Sequence, residues 1–275
     1  MFKINTRNAA RRLLGPHRYA SLAAFYHNDK RWYISAGYWR ALRQLRLLKD
    51  KHKGERCFII GNGPSLARTN LEALAGEYTF GLNRIYLLFD RLSFRPSYYV
   101  CVNPYLIEQT WEDILTIPCP KFISLAGQAY LPQQEDIVFL RTFFRPAHFS
   151  YSPARGIWES ATVTYCAMQL AYYIGFHEVI LIGVDHNFST KGEPNELVVS
   201  TGDDSNHFDL NYFGQGFRWQ LPDLAMSEIG YRLAKEAYER CGRRILDATL
   251  DGCLEIFPKV SFNDIIQTKN NPAKL

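Results

Sequence analysis

Four polar positions in this 275-residue chain each close a short apolar run, and together they outline a place where a ligand can be handled. Gly61-Asn62-Gly63-Pro64-Ser65 follows residues 57–60, Asn83 follows 78–82, Asn103 follows 98–102, and Asp185 follows 178–184. Glycines at a strand end let backbone approach a ligand closely, and Ser65 with neighbouring N–H groups can receive an anion. The same string is also a good tight turn, so spacing alone leaves both readings open. It is neither a Walker-type loop, which needs Gly-Lys-Ser/Thr, nor G-x-G-x-x-G, because residue 66 is Leu. The amides of Asn83 and Asn103 can donate and accept toward a ribose or a phosphate, or cap the next helix. Ser160, at the start of an apolar run that ends at Gly175, reads as an N-cap or as a second anion seat.

Titratable groups gather farther along, at His186, Asp203, Asp204 and His207. Moving a group from a nucleotide donor to a hydroxyl needs a general base, and histidine suits neutral pH. His207 and His186 are the candidates, with Asp185 at its strand end as a further catalytic candidate. Asp185, His186 and His207 match no familiar zinc spacing, while Asp203-Asp204 reads as a magnesium seat beside phosphates or as a solvated turn. Tyr212, Phe213, Phe217 and Trp219 either stack on a base or sugar or anchor their own segment to the core.

Short apolar runs alternating with helical stretches must position these groups, which argues for βα units and a parallel sheet. Strands are predicted at 57–60, 78–82, 98–102, 121–125, 136–140, 178–184 and 243–246. Helices are predicted at 66–75, 84–90, 105–115, 160–175 and 223–241. In such a sheet, ligands bind beyond the carboxyl ends of the strands, where all four polar positions fall. Residues 186–222, rich in Gly, Asn, Asp and Pro without a period, read as a lid or substrate loop.

Apolar residues at 47% and charged residues at 21% describe an ordinary globular chain, with a high aromatic share of 15%. The net charge of +5 conceals an asymmetry. Residues 1–56 hold 14 Lys/Arg against three Asp/Glu, so the basicity belongs to an N-terminal arm and the remainder is acidic. Residues 36–53 place Trp39, Leu42, Leu45 and Leu48 at helical spacing among Arg40, Arg43 and Lys49. Such an arm suits an anionic membrane surface, nucleic acid or a solvated face. No window reaches the roughly 18 to 20 apolar residues of a spanning helix, and the start does not read as a signal peptide. Six cysteines spread singly read as buried free thiols.

The strings Gly61-Asn62-Gly63-Pro64-Ser65-Leu66, Gly81-Leu82-Asn83-Arg84, Val102-Asn103-Pro104, Ser160-Ala161 and Ile182-Gly183-Val184-Asp185 also occur in a familiar order. Over roughly residues 56–258 the chain resembles the family that joins bacterial motility accessory factors, archaeal 6-hydroxymethylpterin diphosphokinase-like proteins and, more distantly, bacterial lipooligosaccharide sialyltransferases. The sialyltransferase likeness implies a metal-independent, Rossmann-like site. There Gly61, Asn62, Gly63, Pro64, Ser65, Asn83 and Asn103 would hold a cytidine nucleotide sugar, with Ser160 near its phosphate and carboxylate. The motility-factor likeness implies His207, in Asn206-His207-Phe208, as base or phosphate ligand. The diphosphokinase likeness implies ATP and magnesium, with metal on Asp185 and Asp203 or Asp204; the loop shows no strongly basic phosphate clamp, Lys191 and Arg218 being the nearest choices.

The expectation is an α/β protein with a Rossmann-like, mostly parallel sheet flanked by helices, a long lid loop and a basic helical N-terminal extension. The extension would span 1–55, the nucleotide-binding transferase domain 56–267 and a flexible tail 268–275. Its expected activity is nucleotide-dependent transfer of a sialic-acid-like sugar to a cell-surface glycan or lipid-linked acceptor, with no cofactor beyond the donor. The alternatives are the Mg-ATP diphosphokinase and a non-catalytic nucleotide-binding assembly factor. The expected location is the cytoplasm, peripheral on the inner membrane face through 1–55, with no nucleic-acid partner.

Overall fold

The computed structural model describes residues 30–145, 147–189 and 192–267. Expectations for the arm before residue 30, for Lys191, and for the tail at 268–275 lie outside the described residues. Helix α1 (Ala36–Leu48) starts at Ser35, whose hydroxyl accepts the Tyr38 N–H at 3.1 Å. Strands β1 (Arg56–Ile60), β2 (Tyr78–Leu82) and β3 (Tyr98–Cys101) follow, then α2 (Pro104–Thr116), β4 (Lys121–Ser124) and β5 (Ile137–Leu140). Two-residue strands β6 (Thr142–Phe143) and β7 (Ile157–Trp158) pair with each other before α3 (Val163–Ile174) and β8 (Glu178–Ile182). An antiparallel ribbon of β9 (Leu197–Val199) and β10 (Arg218–Gln220) precedes α4 (Leu224–Glu239), β11 (Arg244–Asp247) and α5 (Phe262–Gln267).

Among the described residues, seven strands form one parallel sheet in the order β11-β8-β1-β2-β3-β4-β5. Their largely apolar, buried residues are what a sheet covered on both faces requires. Alternation along β1 splits the core: Cys57 and Ile59 face the layer of α1, α3 and α4, whereas Phe58 and Ile60 face that of α2 and α5. Phe208, Tyr212 and Phe213, between β9 and β10, belong to this second core. The Rossmann-like α/β expectation therefore holds, and the strand positions match closely.

Several local expectations are corrected. Stretches 66–75 and 84–90 wind as short 3₁₀ segments, Pro64–Arg68, Leu71–Leu74 and Ile85–Arg91. Thr69, in extended backbone, breaks the first stretch and leaves each piece too short for regular α-helix. Helix α3 begins at Val163 with Thr162 as its cap, while Ser160 (φ 44°) and Ala161 (φ 58°) are left-handed, so Ser160 is not the N-cap. Within the segment read as a lid or substrate loop, Leu197–Val199 and Arg218–Gln220 pair as the β9–β10 ribbon. The described part of the extension packs against the core of the sheet. Ala41 and Leu45 of α1 are buried in the core shared with α3, and Gln44 donates to the Glu135 carbonyl at 2.6 Å, beside edge strand β5. Trp39, grouped by spacing with the leucines, faces outward and is 58% exposed. Cys57, Cys101, Cys119 and Cys166 are buried as expected, but Cys241 and Cys253 are exposed. No helix among the described residues is long and apolar enough to cross a membrane.

Candidate functional site

Strands β1 and β8 are neighbours, yet the chain after β1 proceeds toward β5 and the chain after β8 toward β11. Such a reversal of strand order is where parallel sheets hold ligands, in a crevice outside the carboxyl ends of the strands. The loops that follow β1 and β8 interlock at its floor. Gly61 N–H donates to the Ile182 carbonyl at 2.8 Å and Gly63 N–H to that of Gly183 at 2.9 Å. A Cβ on Gly61 would stand 2.2 Å from the Gly183 oxygen, and one on Gly63 would stand 1.9 Å from Asp185 Oδ2. These glycines serve the contact between the loops.

Ser65 is buried, and both of its donors are engaged. Its N–H reaches Asp185 Oδ1 at 3.0 Å and its hydroxyl donates to Asp185 Oδ2 at 2.8 Å. Burial pushes the Asp185 carboxyl above the ordinary aspartate range, opposed by these two hydrogen bonds. On the Gly61–Ser65 turn, Ser65 is thus engaged by the protein's own Asp185 carboxyl group. Asp185, expected to be catalytic, braces the floor in this arrangement, and its carbonyl also accepts the Cys253 N–H at 2.8 Å.

The neighbouring wall is unfinished. Asn83 adopts φ 49°, which asparagine tolerates, with its N–H on the Val100 carbonyl and its own carbonyl accepting the Tyr99 hydroxyl at 2.6 Å. The side-chain oxygens of Asn62 and Asn83 are buried and find no donor among the described residues. Buried acceptors left open in this way mark where a ligand's O–H or N–H fits. Asn103 differs: its Oδ1 accepts the Tyr105 and Leu106 N–H groups at 2.9 and 3.3 Å, so it caps α2.

His207 is brought to this wall by backbone and ring contacts. Phe208 N–H donates to the Asn62 carbonyl at 3.0 Å. The Tyr212 hydroxyl accepts the Arg84 N–H at 3.3 Å, the Arg84 guanidinium donates to the Tyr212 carbonyl, and the His207 ring stacks on Tyr212 at 4.0 Å. His207 Nδ1 lies 2.8 Å from Oδ2 of Asp204, whose Oδ1 accepts the Asn206 N–H. The side chains of Asp204 and His207 are only 4% and 12% exposed, so the pair is preorganised. An Nδ1–H given to Asp204 leaves the lone pair on Nε2, the arrangement of a general base.

The aromatic residues nearby stack on one another. Phe213 lies 5.1 Å from Phe217 and 4.8 Å from Trp219, which makes them anchors of the segment. Gln109 of α2 clips the ribbon down, donating to the Arg218 carbonyl and accepting its N–H, while Arg218 pairs with Glu108 at 3.0 Å. Over β8, His186 Nε2 lies 3.2 Å from Glu228, whose carboxyl that hydrogen bond lowers. Ser160 is fully buried and donates to the Met226 carbonyl at 2.7 Å, so its hydroxyl is engaged within the protein. Asp204 is likewise engaged, and no three metal-ligating side chains cluster among the described residues.

Asn62, Asn83 and His207 therefore come together, Ser65 and Asp185 form the floor, and Asn103 and Ser160 serve the scaffold. Sequence reasoning did not find the roles of Asp204, Arg84, Gln109 and Glu228. The Asp204-x-x-His207 spacing was a visible signal for the first. Gln109 and Arg218, 109 positions apart, offered none.

No protein-family model matches the chain, and no curated protein sequence matches it. Among solved structures the chain is similar to the MAf glycosyltransferase from Magnetospirillum magneticum AMB-1, with a TM-score of 0.47 and 16% identity. That similarity covers 84% of this chain and 40% of the other, so the chain spans about two fifths of that neighbour's length.

Proposed function

We propose that the chain is a nucleotide-sugar-dependent glycosyltransferase, with a cytidine-linked, sialic-acid-like donor as the specific form. One observation carries the reading: two buried carboxamide oxygens that find no donor among the described residues lie beside a histidine–aspartate pair that turns Nδ1 to the carboxylate and leaves Nε2 as the base. Asn62 and Asn83 would accept from ribose hydroxyls or a base amino group, because an amide oxygen cannot accept from a phosphate oxygen. An acceptor hydroxyl would give its proton to His207 Nε2 as its oxygen attacks the anomeric carbon. The bond from that carbon to the donor phosphate breaks, and the nucleotide leaves. Asp204 would hold the imidazole in its productive tautomer and stabilise the imidazolium.

Thermal-shift measurements against CMP, UDP, ADP and ATP, each with and without magnesium, test the reading. Stabilisation by CMP without metal is expected, about 2.7 kcal/mol when the ligand is a hundredfold above Kd, and it should shrink in Asn62→Ala and Asn83→Ala. Stabilisation by Mg-ATP alone would replace this reading with the diphosphokinase. No shift with any nucleotide would sink both.

A further inference from the structure

Helix α1 lies far from the histidine in sequence and has two unlike faces. Its inner face spends Ala41 and Leu45 on the core. Its outer face carries Trp39, Arg40, Arg43, Arg46 and Leu47, all exposed, with Trp39, Arg43 and Leu47 four residues apart on one stripe. Ile34, just before the helix, is 80% exposed and Leu47 is 75% exposed. Large apolar side chains left in water beside arginines are not explained by packing within the described chain.

Charge selects what covers this face. Between Lys30 and Lys49 the sequence holds six Lys/Arg and no acid, and residues 1–29, which lead directly into it, hold five Lys/Arg against Asp29. Asp50, past the end of the helix, and Glu135, whose carbonyl accepts from Gln44, stand at the margins. Arginines flanking a tryptophan match the anionic headgroup layer, where an indole ring sits with its apolar body inward and its N–H wet. We infer that the outer face of α1 docks on an anionic phospholipid surface, with Trp39 and Leu47 entering the interface and Arg40, Arg43 and Arg46 pairing with lipid phosphates.

The placement suits the crevice. A Cβ on Gly37, at the amino end of α1, would meet Trp32 first and then, at 3.5 Å, the side chain of Gln128, which follows the carboxyl end of β4, and the Tyr33 hydroxyl donates to the Arg155 carbonyl at 2.9 Å. The amino end of the helix thus lies at the same end of the sheet as the ligand crevice.

Sedimentation of the full chain with equimolar phosphatidylglycerol–phosphatidylcholine vesicles tests the inference, with phosphatidylcholine vesicles and duplex DNA as parallel arms. Binding to the anionic vesicles alone is expected. The triple change Arg40→Gln, Arg43→Gln, Arg46→Gln should weaken it about a hundredfold, from about fivefold per arginine. Trp39→Ala with Leu47→Ala should weaken it about tenfold at unchanged charge. All five positions are exposed, Arg40 spending one surface hydrogen bond on the Gln133 carbonyl at 3.4 Å, so thermal melts should stay close to the parent. Equal binding to neutral vesicles, wild-type affinity in the triple variant, or capture on DNA without vesicle binding would each overturn it. No nucleotide is involved, so failure here leaves the proposed activity standing.

Discussion

Between β1 and β8, Ser65 and Asp185 satisfy each other and each glycine is filled by the opposing loop, whereas on the adjoining wall Asn62 and Asn83 bury oxygens with no donor among the described residues. Both regions sit at strand ends, and both looked equally suited to a ligand in the sequence. Polar groups that already have partners hold the crevice in shape, and those without partners are left for what enters it. The histidine–aspartate pair belongs with the second region, because Phe208 hydrogen-bonds Asn62 and Tyr212 bonds the Asn83–Arg84 turn.

The largest expected effect falls on the wall. His207→Ala should lower kcat by about 10²–10⁴ while donor affinity stays within about twofold, measured by steady-state kinetics beside calorimetry. A variant that keeps its kcat would remove His207 as the base. On the floor, Gly61→Ala should cost about 1–3 kcal/mol of unfolding free energy, because backbone rather than a flexible side chain stands in the way. An unchanged denaturation midpoint would break the interlock.

A paired comparison then sharpens the contrast. Ser65→Ala should cost about 1 kcal/mol of stability and leave donor binding intact, while Asn62→Ala should weaken donor binding up to about tenfold and leave stability intact. The reverse pattern would put the ligand on the floor. The smallest effect is electrostatic. Asp185 holds its proton more tightly folded than unfolded, so its contribution is fully present below the ordinary aspartate pKa and is lost as pH rises through the raised value. Relative to Asp185→Asn, wild-type stability should therefore fall with rising pH across that window in pH-resolved denaturation. A rise would show that the Ser65 hydrogen bonds outweigh burial.

Much of the sheet was legible because fully buried parallel strands are written as continuous apolar runs, as residues 57–60 and 179–182 show. The 3₁₀ segments after β1 and β2 were misread as helices, since apolar spacing over so few residues does not separate the two windings. The start of α3 was misplaced for a related reason: Ser160 and Thr162 are both good caps, and only backbone geometry chose between them. His207 was legible as a titratable residue in a polar segment. Its orientation was not, because the Tyr212 ring it stacks on is held by Arg84, 128 positions earlier.

By itself the sequence determined the parallel α/β sheet, the polar residues at its strand ends and the basic character of the N-terminal segment, all properties of local pattern and composition. Tertiary structure alone decided that Asp185 fills the Ser65 turn, that Asn103 caps a helix, that Asn62 and Asn83 keep unspent oxygens, and that α1 turns Trp39 outward. Each of these depends on which distant group arrives within hydrogen-bonding or packing range, and the residue types at either end of such a contact do not specify that.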